Sequence, residues 1–441
     1  MLRLVRGIWR PVNYQYKRFK SSKAPHMSCL FIQPPADEEP ELTTVEINKM
    51  FDVGEYNETD MKESLVKREA LMKLLPTDDD DLPPRTMKDS FVTAIIPLKS
   101  NLTVREKYVN PDGNLRIGRF LEEMDFFSVY CCQKHILNPK SVGQQSPYSV
   151  VTALVDNIYI TNDKMKNNEN VRLSGHMAFA GKSSMEVCIV VDQKNDNGVY
   201  QKCIEAKFVL VARDSMNRGP AIINPLKADT NEEQEFLNIG KIRQQVRKER
   251  EEENIFKKPP NEEERKIIHD RFIQKSNISK PIPTNTKMMS DSILKTVFIC
   301  QPQYRNRNNK IFGGFTMRMA YELALTNTFI YGKKRPRIVN IDDIKFLYPV
   351  EIGSIFRVRS HIGYVEGNFV QSVVYAEVVY PKTGEILKTN EFHVTFQVPQ
   401  EAGEDPVPTL DFETYEEAIH YLNSRRYFKK MMKDYGEFAS K

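Results

Sequence analysis

Asn309-Lys310-Ile311-Phe312-Gly313-Gly314-Phe315 opens a long apolar segment in the second half of the chain, and Asn114-Leu115-Arg116-Ile117-Gly118-Arg119-Phe120 opens a similar one in the first. Working outward from this pair, further landmarks recur in the same order. Val155-Asp156-Asn157-Ile158 answers Ile341-Asp342-Asp343-Ile344, and Arg172-Leu173-Ser174-Gly175-His176 answers Arg357-Val358-Arg359-Ser360-His361. Lys207-Phe208-Val209-Leu210-Val211 then answers Glu391-Phe392-His393-Val394-Thr395. Asp156 to His176 is 20 residues and Asp342 to His361 is 19. Matched landmarks without reordering mean one structural unit written twice. Two copies can face each other and build a site that neither forms alone.

Each copy reads as a strand, one long helix and then four strands. Phe120, Met124, Phe127 and Cys131 recur at helical intervals, as do Phe315, Met319, Leu323 and Thr326. Ser90–Ile96 and Ser292–Phe298 are the leading strands. Ser149–Ile160, Val171–Ala178, Ser184–Val191 and Cys203–Val211 follow in the first copy; Arg337–Phe346, Ile355–Gly363, Phe369–Val379 and Leu387–Val398 follow in the second. A helix apolar nearly all round forces its sheet to curl about it, and two such sheets can pair edge to edge. The expected class is α+β.

The flanks differ from the repeats. Residues 1–36 are read as presequence and leader, 37–84 as an acidic, Pro-rich extension and 85–218 as the first repeat. Residues 219–289 form a helical connector, 290–402 the second repeat and 403–441 a tail helix. Met1 to Pro25 carries Arg3, Arg6, Arg10, Lys17, Arg18, Lys20 and Lys23, with no acid before Asp37 and with Leu2, Val5, Ile8 and Trp9 at helical spacing. That is a mitochondrial presequence pattern, and the matrix is the expected compartment. In the connector, Thr230 with Glu233 and Asn261 with Glu264 mark helix starts. At 441 residues the chain exceeds one core, and a net charge of +5, partly in the leader, argues against a nucleic-acid surface. No apolar run reaches the length of a membrane span. The cysteines show no metal-ligand spacing; neither a metal nor a cofactor is expected.

Ile311-Phe312-Gly313-Gly314-Phe315-Thr316-Met317-Arg318, Asp342-Asp343-Ile344-Lys345-Phe346 and Pro349-Val350-Glu351-Ile352-Gly353 resemble the second hotdog repeat of acyl-CoA thioesterases. The first repeat is similar to the mitochondrial acyl-CoA thioesterase 9 type. It carries Arg116–Asp125, Val151–Asp156, Ser174-Gly175-His176, Ser184-Met185-Glu186-Val187 and Phe208–Asp214. The resemblance spans roughly residues 85–400 and implies a double hotdog fold. It also implies an acyl-CoA substrate split into free fatty acid and CoA, and a homo-oligomer of double-hotdog units.

Thioester hydrolysis needs a polarised carbonyl, a positioned water and a base. A glycine-bearing helix start offers free N–H groups at close range, which suits Gly313 and Gly314. In the first repeat Gly118 is followed by Arg119. The resemblance implies that an asparagine before the glycines orients the water, which points to Asn309 and, in the other copy, Asn114. Each sits one residue farther from its glycine than in the better-known relatives, and Asn114 is better explained as a loop residue satisfying local backbone. The base is sought on the long helix. Asp125 stands seven residues after Gly118, the spacing at which related thioesterases carry their acid. The seventh position after Gly314 is Tyr321, with Glu322 beyond it and four residues from Arg318, where an ordinary ion pair explains it.

Two composite sites follow: Asn309, Gly313 and Gly314 with Asp125, and a weaker one joining Asn114 and Gly118 to Glu322. Asp156, Asp342 and Asp343 either line the cleft or anchor structure; as carboxylates in apolar runs they need partners. A hotdog hydratase or dehydratase would want a histidine beside the helical acid, which neither helix start supplies. An acyl-CoA-binding sensor with a dead site is the alternative of a different class. A Gly-x-Ser-x-Gly elbow and a P-loop are both absent from the sequence.

Overall fold

The computed structural model describes residues 30, 32–34, 40–51, 58–78, 82–136, 145–162, 164–276, 285–401 and 403–439. The presequence reading of Met1 to Pro25, with Trp9, lies outside these.

Two helices, α1 (Thr44–Met50) and α2 (Glu58–Leu71), precede the first repeat. That repeat comprises β1 (Val92–Ile96), α3 (Leu102–Tyr108), α4 (Ile117–His135), β2 (Tyr148–Ile160), β3 (Val171–Ala180), β4 (Ser184–Lys194) and β5 (Tyr200–Asp214). The connector holds α5 (Asn231–Glu252) and α6 (Glu262–Ser276), then β6 (Thr286–Met288). The second repeat is β7 (Leu294–Ile299), α7 (Gly313–Gly332), β8 (Arg337–Phe346), β9 (Ile355–Glu366), β10 (Phe369–Val379) and β11 (Ile386–Gln397). β12 (Thr409–Asp411) and α8 (Tyr415–Ala439) close the chain.

Local chemistry sets these boundaries. Thr230 accepts the Glu233 N–H at the start of α5, and Asn261 and Glu264 exchange side-chain and backbone bonds of 2.9 and 3.0 Å at the start of α6. β1 and β7 begin two residues later than the sequence runs do, because Ser90 and Ser292 end short 3₁₀ turns. Their hydroxyls instead receive the Met177 and Ile362 N–H groups at 2.9 Å, the same bond in both copies.

All ten repeat strands form one sheet in the order β1-β3-β4-β5-β2-β8-β11-β10-β9-β7. The second half mirrors the first, so a pseudo-twofold axis passes through the joint where Leu154 pairs Lys345 and Tyr159 pairs Asn340. β2 joins β8 only from Leu154 to Tyr159, so its first residues diverge from β8 and leave a gap. Each half curls about its helix, and α4 and α7 lie together with Phe120, Phe127, Phe208, Phe356, Phe392 and Phe396 in one core. This is the double hotdog arrangement.

The two helix starts superpose one residue away from the match expected at this point. Arg116 N–H donates to Tyr108 C=O at 2.7 Å, as Phe312 does to Tyr304 at 2.8 Å. Gly113 N–H closes onto Asn110 C=O at 2.9 Å, as Asn309 does onto Asn306 at 3.0 Å. Gly113 and Asn309 both have positive φ, 78° and 55°. Asn309 therefore matches Gly113, Asn114 matches Lys310, and Gly118 matches Gly314. Both sequences spell Asn near the turn, but the left-handed position, open to glycine and tolerated by asparagine, sets the register.

Candidate active site

The site depends on how closely the two long helices meet. A Cβ on Gly314 would lie 2.8 Å from Glu122 Cα and 2.9 Å from its carbonyl oxygen, so a side chain there would drive the helices apart. With glycine in place, the first turn of α7 reaches Asp125 on α4. Gly314 N–H, one of the donors a helix start leaves without an intrahelical partner, bonds Asp125 Oδ2 at 2.7 Å. Thr152 on β2 donates to Asp125 Oδ1, also at 2.7 Å. A register shift between Thr152 and Leu154 sits beside this contact, where bulges commonly re-aim a side chain.

Asp125 is 1% exposed. Burial pushes its carboxyl up to about 6; the bonds from Thr152 and Gly314 pull the other way, and the Glu122 charge adds to the rise. A carboxylate poised there is ionised near neutral pH and still basic enough to take a proton. It opens onto a cavity of about 460 Å³ that includes Gly313, Val129, Val150 and Phe346, set in the gap where β2 leaves β8. The helix start brings partial positive charge to the same space. Phe312, the cap residue of α7, stacks on Phe126 of α4 at 3.8 Å and holds the start in place.

The structure thus brings Asp125, Gly313 and Gly314 together from opposite repeats. Asn309 is not among the residues lining this cavity; it takes the left-handed turn position. Asn306 and Asn308 line the cavity instead. Asn306 Oδ1 accepts the N–H groups of Asn308 and Lys310, while the Asn308 amide donates to Ser149 Oγ. Sequence reasoning did not single out Asn306, Asn308 or Thr152. For Asn306 a signal existed, since Asn110 stands at the corresponding place and accepts from Asp112 and Asn114 in the same manner.

The pseudo-symmetric counterpart is built differently. Asn114, Gly118 and Glu322 line a cavity of about 810 Å³, but Tyr321 occupies the place of Asp125. A Cβ on Gly118 would meet Tyr321 at 3.3 Å and Glu322 at 3.4 Å. Glu322 is engaged by Arg116 from the opposite repeat and lies 3.6 Å from Arg318. This carboxylate is thus committed to two guanidinium groups rather than set against a helix start.

Asp156, Asp342 and Asp343 do not line the Asp125 cavity. Asp156 lies 3.3 Å from Arg247 of α5, and Lys430 of α8 lies 2.7 Å from Asp342 and 3.7 Å from Asp343. Burial opposes the charge on Asp156, but Arg247, Lys207 and Lys430 hold its pKa below the usual range. Burial, followed by the Asp342 charge, pushes Asp343 up to about 8. These carboxylates tie the connector and tail helices to the sheet. Among the described residues no group of three or more His, Cys, Asp or Glu side chains gathers as a metal site.

Fold and site together define a double-hotdog protein with a carboxylate from one repeat set against a helix start from the other. Mitochondrial acyl-coenzyme A thioesterase 9 of Bos taurus is 38% identical over 381 residues, covering 85% of this chain and 85% of that protein. The Homo sapiens protein of that name is 37% identical over the same shares. The chain belongs to the mitochondrial acyl-coenzyme A thioesterase 9 family. No family profile matches it. Among solved structures, an acyl-CoA hydrolase from Staphylococcus aureus in complex with butyryl-CoA, CoA and CoA disulfide is 20% identical. It covers 35% of this chain and 99% of its own, with a TM-score of 0.31. An oleoyl thioesterase (putative) from Lactobacillus plantarum is 10% identical over 70% of this chain and 97% of its own, with a TM-score of 0.43.

Proposed function

We propose that this protein is an acyl-CoA thioesterase that releases a free fatty acid and CoA through one working site per chain. The observation that carries the mechanism is the pair of 2.7 Å bonds that Asp125 accepts from Thr152 and from Gly314 N–H across the repeat interface. The first turn of α7 draws in the thioester oxygen as negative charge develops on it. Ionised Asp125 takes a proton from water as the oxygen attacks the carbonyl carbon. A tetrahedral intermediate forms, the carbon–sulfur bond breaks, and the proton on Asp125 passes to the departing thiolate. Water is the only co-reactant, so the step requires no cofactor.

Relatives named mitochondrial and the basic, acid-free start of this chain support import into mitochondria, with the matrix as destination. Among the described residues no helix is long and apolar enough to cross a membrane. Assembly of the double-hotdog units into a homo-oligomer belongs to the same proposal, and mass photometry of the purified protein tests it.

Turnover of a CoA thioester by the purified protein separates an enzyme from a binding sensor. With Asp125 as base, kcat/KM rises with pH through about 6 and levels above it. Binding without turnover, or a rate indifferent to pH between 5 and 8, would contradict the reading.

A further inference from the structure

The cavity has a second polar end. β5 pairs with β2 so that Arg213 stands opposite Ser149, three residues along the strand from Thr152. At about 3.3 Å per residue that is roughly 10 Å along the strand from Thr152, the residue that contacts Asp125. Arg213 and Asn217 both line the cavity at this end. Two of their polar atoms, Arg213 Nε and Asn217 Oδ1, are buried without a hydrogen-bond partner among the described residues. One is a donor and the other an acceptor. Leaving either unpaired in a folded protein is costly, so a pair of them in one cavity calls for a ligand group that offers both.

The loop that holds them is built for this position. Asp214 accepts the N–H groups of Met216 at 2.9 Å and Arg218 at 3.1 Å, and also that of Gly219. Asn217 N–H closes onto Asp214 C=O at 2.8 Å, and Arg213 donates to Asn217 C=O at 3.2 Å. Asn217 is held at φ 59°. Asparagine takes this left-handed turn conformation routinely, and the turn holds Asn217 in the lining of the cavity.

We infer that Arg213 and Asn217 recognise a secondary amide of the pantetheine arm, with Arg213 donating to its carbonyl oxygen and Asn217 accepting its N–H after small side-chain adjustments. This rests on the acyl-CoA reading above. An amide carries one acceptor and one donor on adjacent atoms, which matches the orphaned pair. Reach selects between the two amides of the arm. The one farther from sulfur lies about eight bonds from the thioester carbon, roughly 10 Å extended at about 1.25 Å per bond. The nearer amide falls several ångströms short.

Arg213→Gln and Asn217→Gly are the informative variants; glycine accepts the left-handed backbone, so the loop is kept. The substrates are one acyl group carried by CoA, by pantetheine, by N-acetylcysteamine (which has only the nearer amide) and by ethanethiol. The wild-type preference for CoA and pantetheine thioesters over the two truncated ones should fall by roughly 10–100-fold in kcat/KM. Equal losses on all four carriers, or none, would overturn the assignment, as would a loss extending to the N-acetylcysteamine thioester. Calorimetry with S-methylpantetheine reads the same contact without turnover, and each variant should bind it at least tenfold more weakly than wild type. Wild-type affinity in both variants would overturn the inference even for a protein that hydrolyses nothing. Failure of the wild type to cleave any CoA thioester would count instead against the thioesterase reading.

Discussion

At neutral pH Asp125 is an ionised carboxylate in surroundings that favour its neutral form. Because its folded pKa lies above the unfolded value, its contribution to stability is complete below about pH 4 and lost as pH rises through about 6. In an Asp125→Asn variant the introduced amide would set its oxygen on Gly314 N–H and its NH₂ on Thr152 Oγ, without a buried charge. The variant should therefore melt a few degrees above wild type at pH 8 and show no such gain at pH 4, by differential scanning fluorimetry. A lower melting point at pH 8 would mean that burial does not strain this carboxylate. Asn309 offers a second test. Its φ of 55° suits glycine, which occupies the matching place as Gly113. Asn309→Gly should leave kcat/KM within about twofold of wild type, whereas a large loss would return Asn309 to the chemistry. Asp125 was singled out in the sequence through the resemblance, which implies an acid seven residues after the glycine. The turn was not, because the two copies use different residues for the same backbone conformation.

Among the elements, α4 and α7 decide whether the site exists. A Cβ on Gly314 strikes backbone atoms of Glu122 at 2.8 and 2.9 Å, while one on Gly118 meets the flexible Arg318 Cγ at 3.1 Å. Gly314→Ala should cost about 1–3 kcal/mol in urea denaturation and most of the turnover, and Gly118→Ala distinctly less of both. Equal effects would mean that the helices do not meet as described. Helical periodicity and β-branched runs identified the long helices and the ten repeat strands, because each signal is local. Thr152 escaped notice for the opposite reason. Its partner is 27 residues away on α4, and its aim depends on a register shift that no pattern of apolar residues announces.

Across the whole molecule, the connector and tail act as charged covers over the outer face of the sheet. Arg243 and Arg247 of α5 bind Glu186, and Lys430 of α8 binds Asp342, whose side chain is 3% exposed. Lys430→Met should lower unfolding free energy by about 3–5 kcal/mol, since it strands a buried carboxylate; an unchanged urea midpoint would contradict the role given to α8. The sequence showed that these helices exist, but which sheet carboxylates their cations meet depends on tertiary packing that no local pattern records. The duplication implied two sites, and the structure makes them unequal: Asp125 faces a helix start, whereas Glu322 is held between Arg116 and Arg318 with Tyr321 in the place of Asp125. That inequality is the central claim, and steady-state turnover of one CoA thioester by Asp125→Asn and Glu322→Gln in parallel tests it most directly. Asp125→Asn should lose roughly 10²–10⁴-fold in kcat and Glu322→Gln no more than a few fold; comparable losses from both would show two working sites and contradict the account.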